Sequence, residues 1–133
     1  IDLAKSQNND NPVFYIQYAH ARISKVLEQW GGDISSLKLD DSFIFDSQAE
    51  LKLIKSISIY PEIVLQATNE LAPHQIANFL KDCAADLHSY YNDSKFLVED
   101  EKIKMARLSL INSAKYVLKN GLQLLGIEAP QQM

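Results

Sequence analysis

The stretch EKIKMARLSLINSAKYVLKNGLQLLG, residues 101–126, decides the fold. Its apolar residues Ile103, Ala106, Leu110, Ala114, Val117, Leu118, Leu122 and Leu125 recur at steps of three and four, the period of a helix with one face in a core. This is the longest amphipathic stripe in the chain. The acidic run Glu99-Asp100-Glu101 just before it suits the positive end of a helix dipole. Gly121 weakens the helix without breaking it. Gly126 followed by Ile127 fits a left-handed cap with an apolar residue folding back, and Pro130 keeps the helix from resuming, so Glu128 to Met133 reads as a short extended tail.

Working outward, Pro73 opens a helix with Ile76, Leu80, Cys83, Leu87 and Tyr90 on one side, and Asn92-Asp93-Ser94 stops it. Ser47-Gln48-Ala49-Glu50 has capping-box spacing and predicts a helix over about 48–59. Pro61 is expected to interrupt it, with Ile63, Ala67 and Leu71 resuming as a short helix that ends near Ala72. Residues 33–46 carry Asp, Ser and Lys without period and read as a loop, under which Phe43-Ile44-Phe45 is expected to tuck an apolar clamp. Asn11 and Pro12 form a cap and first turn for a helix whose stripe is Val13, Ile16, Ala19, Ile23, Val26, Leu27 and Trp30, ended by Gly31-Gly32. No segment alternates with period two and no repeat is present. The expectation is one all-α domain over 1–133, a helical bundle of four to five helices with one long loop.

Composition limits the chemistry. With 133 residues, 47% hydrophobic and 23% charged, the chain can hold a core without metal or disulfide. The longest apolar runs fall short of the ~18 residues of a membrane span, so a soluble, cytoplasmic domain with no membrane partner is expected. The one cysteine, Cys83, reads as a small buried hydrophobe. His20, His74 and His88 lie in separate segments and read as solvated or hydrogen-bonded rather than metal ligands. There is no phosphate-binding glycine loop, nucleophile elbow or paired-histidine helix, so neither catalytic residues nor a metal site are expected. Ile1 is not an initiator methionine, and the opening residues read as the continuation of a longer chain. Residues 1–10 are expected to be a connector and the whole to be a C-terminal piece.

Net charge is −4, so any nucleic acid must be met by a local patch. Tyr15, Tyr18, Arg22 and Lys25 lie at i, i+3, i+7 and i+10, on a face of the first helix other than the core stripe. Such a strip can stack unpaired bases on its rings and hold phosphates or base edges with its cations; it can equally be a second packing face with wet hydroxyls. Ala84, His88, Tyr91 and Lys95, spaced i, i+4, i+7 and i+11, make a second candidate surface at a helix end, open to the same two readings.

The residues also carry a resemblance. Asp10-Asn11-Pro12-Val13-Phe14-Tyr15-Ile16-Gln17-Tyr18-Ala19-His20-Ala21-Arg22-Ile23 resembles the opening helix of the DALR-type anticodon-binding domain of arginyl-tRNA synthetases, a class I family. Glu70 to Leu80, Leu87 to Asn92, and Val117 to Ile127 with Pro130 and Met133 agree in order, leaving only the loop at 31–50 outside the resemblance. The resemblance implies an all-helical domain that holds splayed anticodon bases of tRNA-Arg, with Tyr15, Tyr18, Arg22, Tyr91, Lys95 and Met133 as the carried-over contacts; Lys25 and His88 join them from the helical spacing. It also implies ATP-dependent ligation of arginine, with ATP and magnesium, by a catalytic domain N-terminal to this segment. That domain's signature motifs are absent here, so this stretch should bind tRNA without aminoacylating it and should need no cofactor of its own. A monomer is expected, partnered by tRNA-Arg and the catalytic domain. Two other readings stand beside this one: the anticodon-binding domain of a cysteine- or methionine-type synthetase, and a non-enzymatic helical interaction module whose tyrosine faces bind protein.

Overall fold

A computed structural model describes residues 11–133; the expected connector, 1–10, lies outside the described residues. Among the described residues four α-helices follow in order: α1 Pro12–Trp30, α2 Gln48–Asn69, α3 His74–Asp93 and α4 Glu101–Leu124. A single 3-10 turn, Ile34–Ser36, sits in the long loop between α1 and α2.

Local signals set most of the ends. Asn11 Oδ1 accepts the amides of Val13 and Phe14 at 3.0 and 3.3 Å, with Pro12 in the position whose N–H would be an orphan anyway. Ser47 Oγ accepts the Glu50 amide at 3.1 Å and Glu50 returns to the Ser47 N–H, completing the capping box. Asp100 caps α4 through the Ile103 amide. At the far end of α4, Gly126 takes a φ of +74°, and the amides of Ile127 and Gly126 reach back to the carbonyls of Leu122 and Gln123, the reciprocal pair of a Schellman cap.

Two expectations about α2 are overturned. Pro61 does not interrupt it, and there is no separate short helix; α2 runs unbroken through Pro61. The proline is exposed, so water can satisfy the carbonyl that loses its donor. Nor does the helix reach Ala72. It ends at Asn69 in a second Schellman cap, with the amides of Ala72 and Leu71 bonded to the carbonyls of Ala67 and Thr68. The left-handed position there is Leu71 at φ +52°, which points out of the core and is 87% exposed. The expected clamp is likewise incomplete: Phe45 packs on the core and meets the Phe43 ring, whereas Ile44 lies in solvent.

α3 and α4 each pack against all three other helices, while α1 and α2 flank that central pair. The α3 and α4 stripes are accordingly the most deeply buried, with Leu80, Cys83, Leu87, Leu108, Leu110, Ala114, Leu118 and Leu122 fully enclosed. Ile103, expected in the stripe, is half exposed in the first turn of α4. Gly121 lets α3 and α4 approach closely, since a Cβ there would come within 2.6 Å of the Leu80 side chain. A buried polar tie joins three helices: the Tyr90 hydroxyl donates to Glu50 Oε2 at 2.9 Å, and Arg107 Nε lies 3.5 Å from the same oxygen. Arg107 Nη1 also donates to the carbonyl of Lys95, fixing the loop that follows α3.

Candidate nucleic-acid interface

α1 crosses α3 with the side chains of Tyr15, Tyr18 and Arg22 directed at His88 and Tyr91. The guanidinium carbon of Arg22 stands 4.5 Å from the centre of the Tyr18 ring and 4.4 Å from that of Tyr91, so the cation is held by two phenol faces. Tyr18 is further supported by a parallel Phe14 ring with centres 5.8 Å apart.

His88 secures Arg22 from beneath. Arg22 Nη1 lies 3.1 Å from His88 Nδ1, and His88 Nε2 lies 3.2 Å from the Tyr15 carbonyl. A guanidinium has only donors and a carbonyl only accepts, so Nδ1 must be the acceptor and Nε2 must carry the proton. The ring therefore works as a neutral imidazole. Burial holds its pKa below the usual value and the charge of Arg22 pushes the same way, against the opposing bond to Tyr15.

Arg22, Tyr18, Ala21, Lys25 and Glu28 form one wall of a groove of about 340 Å³, which Tyr91 and the tail residues Gln131, Gln132 and Met133 complete. Tyr18, Arg22, Lys25, Tyr91 and Met133, five of the eight candidates read from the sequence, thus meet in one place. Tyr15 is half-buried against the core with its ring 4.6 Å from His88, outside the groove lining. The expected second surface is corrected in part: Ala84 is fully enclosed and His88 is 7% exposed, because both face α1 or the core rather than solvent. Lys95 lines an adjoining cavity of about 350 Å³ with Val26, Phe96 and Leu97, and Tyr91 forms the wall common to both.

Ala21 and Glu28 were missed by the sequence reading, although both continue the Tyr18–Lys25 spacing and could have been found from it. Gln131 and Gln132 could not, because nothing in their own sequence says the tail returns to α1. Among the described residues no cluster of His, Cys, Asp and Glu could hold a metal ion, and no helix is long and apolar enough to cross a membrane.

An all-helical domain with rings and cations gathered in one open groove has the residue types with which proteins stack and pair unpaired nucleotides. Comparison with known proteins gives the family. The model of the DALR anticodon binding domain matches residues 16–133, and the chain belongs to that family. An arginine–tRNA ligase of Polynucleobacter necessarius is 48% identical over all 133 residues, which make up 23% of its length. The arginyl-tRNA synthetase of Thermus thermophilus superposes with a TM-score of 0.82 at 35% identity, over 99% of this chain and 23% of that one. A solved Campylobacter jejuni chain superposes with a TM-score of 0.86 at 29% identity, over 99% of this chain and 29% of its own. The chain thus spans about a quarter of the length of the proteins it matches.

Proposed function

We propose that this chain is the part of an arginine–tRNA ligase that receives the anticodon loop of tRNA-Arg, with Tyr18, Arg22, Lys25, Tyr91 and Met133 as the groove contacts. The observation that carries the reading is the Arg22 guanidinium clamped between Tyr18 and Tyr91 at a groove whose opposite wall includes Met133. Flat rings offer stacking surfaces to splayed bases, the guanidinium and Lys25 offer donors to base edges and phosphates, and a flexible thioether packs on flat rings. Lys95, in the adjoining cavity, would meet the backbone of a neighbouring nucleotide. Tyr15 and His88 contribute by holding Tyr18 and Arg22 in place.

In this reading the whole protein ligates arginine to its tRNA with ATP and magnesium, and this chain supplies recognition alone. Its partners are tRNA-Arg and its own N-terminal catalytic domain, it works in the cytoplasm, and it acts as a monomer. Filter binding with the full-length ligase tests the recognition step. Binding of tRNA-Arg should exceed that of a tRNA for another amino acid, and exchanging anticodon bases between the two should transfer the preference. A preference that ignores the anticodon would overturn the reading.

A further inference from the structure

The groove has a wall that α1 does not own. Gln131, Gln132 and Met133 come from the tail beyond α4, and the tail reaches α1 through two hydrogen bonds made by side chains outside the groove lining. Gln17 Nε2 donates to the carbonyl of Glu128 at 2.9 Å, and His20 Nδ1 lies 3.1 Å from the carbonyl of Pro130. Gln17 and His20 are one turn apart and sit beside the Tyr18, Ala21, Arg22 ridge. Ile127 and Ala129, the alternate residues of the same tail segment, pack against the core.

We propose that His20, with Gln17, is a positioning residue for the groove: it ties the tail to α1 so that residues 131–133 stand opposite Tyr18 and Arg22. The inference rests on the anticodon-binding reading. Because a carbonyl only accepts, the bond to Pro130 requires the proton on Nδ1, which leaves Nε2 as a bare acceptor. That nitrogen is enclosed and has no partner among the described residues. The histidine itself is 1% exposed. A buried acceptor without a partner costs stability, so an apolar side chain would serve the core better than this ring does. What an apolar side chain cannot do is donate to Pro130. The job that accounts for a histidine here is therefore at Nδ1, in the tail.

The same pairing accounts for where the tail turns back. After the Schellman cap at Gly126, Ile127 and Ala129 pack partly buried against the core, while the carbonyls of Glu128 and Pro130 are the ones that meet α1. Pro130 has no N–H and can join this edge only as an acceptor. Gln17 and His20 supply the two donors that match.

The test uses the full-length ligase, tRNA-Arg as probe, and four variants, with Arg22→Ala as the reference for the groove itself. His20→Leu removes the donor, His20→Asn keeps an N–H close to the position of Nδ1, deletion of residues 131–133 removes the wall itself, and the last variant combines His20→Leu with the deletion. His20→Leu should weaken tRNA-Arg binding about three- to tenfold, the net worth of one hydrogen bond, with thermal stability unchanged or raised. His20→Asn should restore most of the loss. In the deleted chain His20→Leu should have no further effect. Methyl NMR with 13C-methionine gives a reading independent of tRNA, in which the Met133 resonance should move to its free-chain position in His20→Leu and not in His20→Asn. If the deletion weakens binding while His20→Leu leaves both binding and the Met133 resonance unchanged, the positioning role is overturned and the anticodon reading stands. If the deletion and Arg22→Ala both leave binding unchanged, the anticodon reading itself fails.

Discussion

Arg22 is the residue on which the site turns, and its setting makes a pH prediction. Its acceptor, His88 Nδ1, exists only while the imidazole is neutral, and burial holds the His88 pKa below its usual value of 6.5. A histidine with a depressed folded pKa adds stability that is complete above the unfolded value and is lost as pH falls through the folded one. Binding of tRNA-Arg should therefore be level from pH 8 to about 6.5 and fall at lower pH as protonation removes the acceptor and sets one cation against another. A His88→Gln ligase, which still presents an acceptor, should lose that step. A pH profile identical in the two proteins would contradict the assignment. Sequence spacing found Tyr18, Arg22 and Lys25 because a ridge of three- and four-residue steps is a property of any helix. It did not separate Tyr15 from them, since which end of the ridge α3 covers is decided by packing.

At the scale of the element, the ends of the helices hold the lessons. The Ser47–Glu50 box and the Gly126 cap were legible because their chemistry is local. The end of α2 was not, because the left-handed position carries a leucine where glycine is the usual signal. Leu71 is 87% exposed, so its side chain buries little, yet its backbone bears the left-handed penalty of ~1 kcal/mol. Leu71→Gly should accordingly raise the unfolding free energy by up to about 0.5 kcal/mol, after the added freedom of glycine in the unfolded chain is offset. Chemical denaturation measures it, and a loss of stability would show that Leu71 packs more than its exposure indicates. Gly121 runs the other way. Alanine is the better helix former by about 1 kcal/mol, but its Cβ would meet Leu80, itself fully enclosed, at 2.6 Å. Overpacking of this kind costs about 1–3 kcal/mol, so Gly121→Ala should destabilise the domain, and a gain in denaturation midpoint would show that the α3–α4 contact yields easily. The unbroken passage through Pro61 belongs here too: the rule that proline ends a helix presumes a carbonyl that nothing else can satisfy, which does not hold on an exposed face.

For the whole molecule, the all-helical class and the helix order were legible because hydrophobic period is a strong signal over twenty residues. Periodicity alone did not show the groove, because it needs three remote pieces, a ridge of α1, the end of α3 and the tail beyond α4, and only the family resemblance had brought residues of all three together. Charge at this scale gives a further prediction. Net charge is −4, and the groove carries the cations Arg22 and Lys25, with Lys95 in the cavity beside it. Each phosphate met on a single strand releases about 0.7 counterion. Lys25→Gln and Lys95→Gln in the full-length ligase should each lower the slope of log affinity against log salt by about that amount, with little change in preference among tRNAs. An unchanged slope would place those lysines away from the backbone.

The most direct test of the central claim is the rate of arginine transfer to tRNA-Arg by full-length ligases carrying Tyr18→Ala or Arg22→Ala, with helix content and thermal unfolding followed in the same samples. Loss of a stacking or pairing partner worth about 1–3 kcal/mol predicts kcat/KM lower by about five- to a hundredfold, with the bundle still folded. Charging at the wild-type rate by a folded Arg22→Ala enzyme would contradict it.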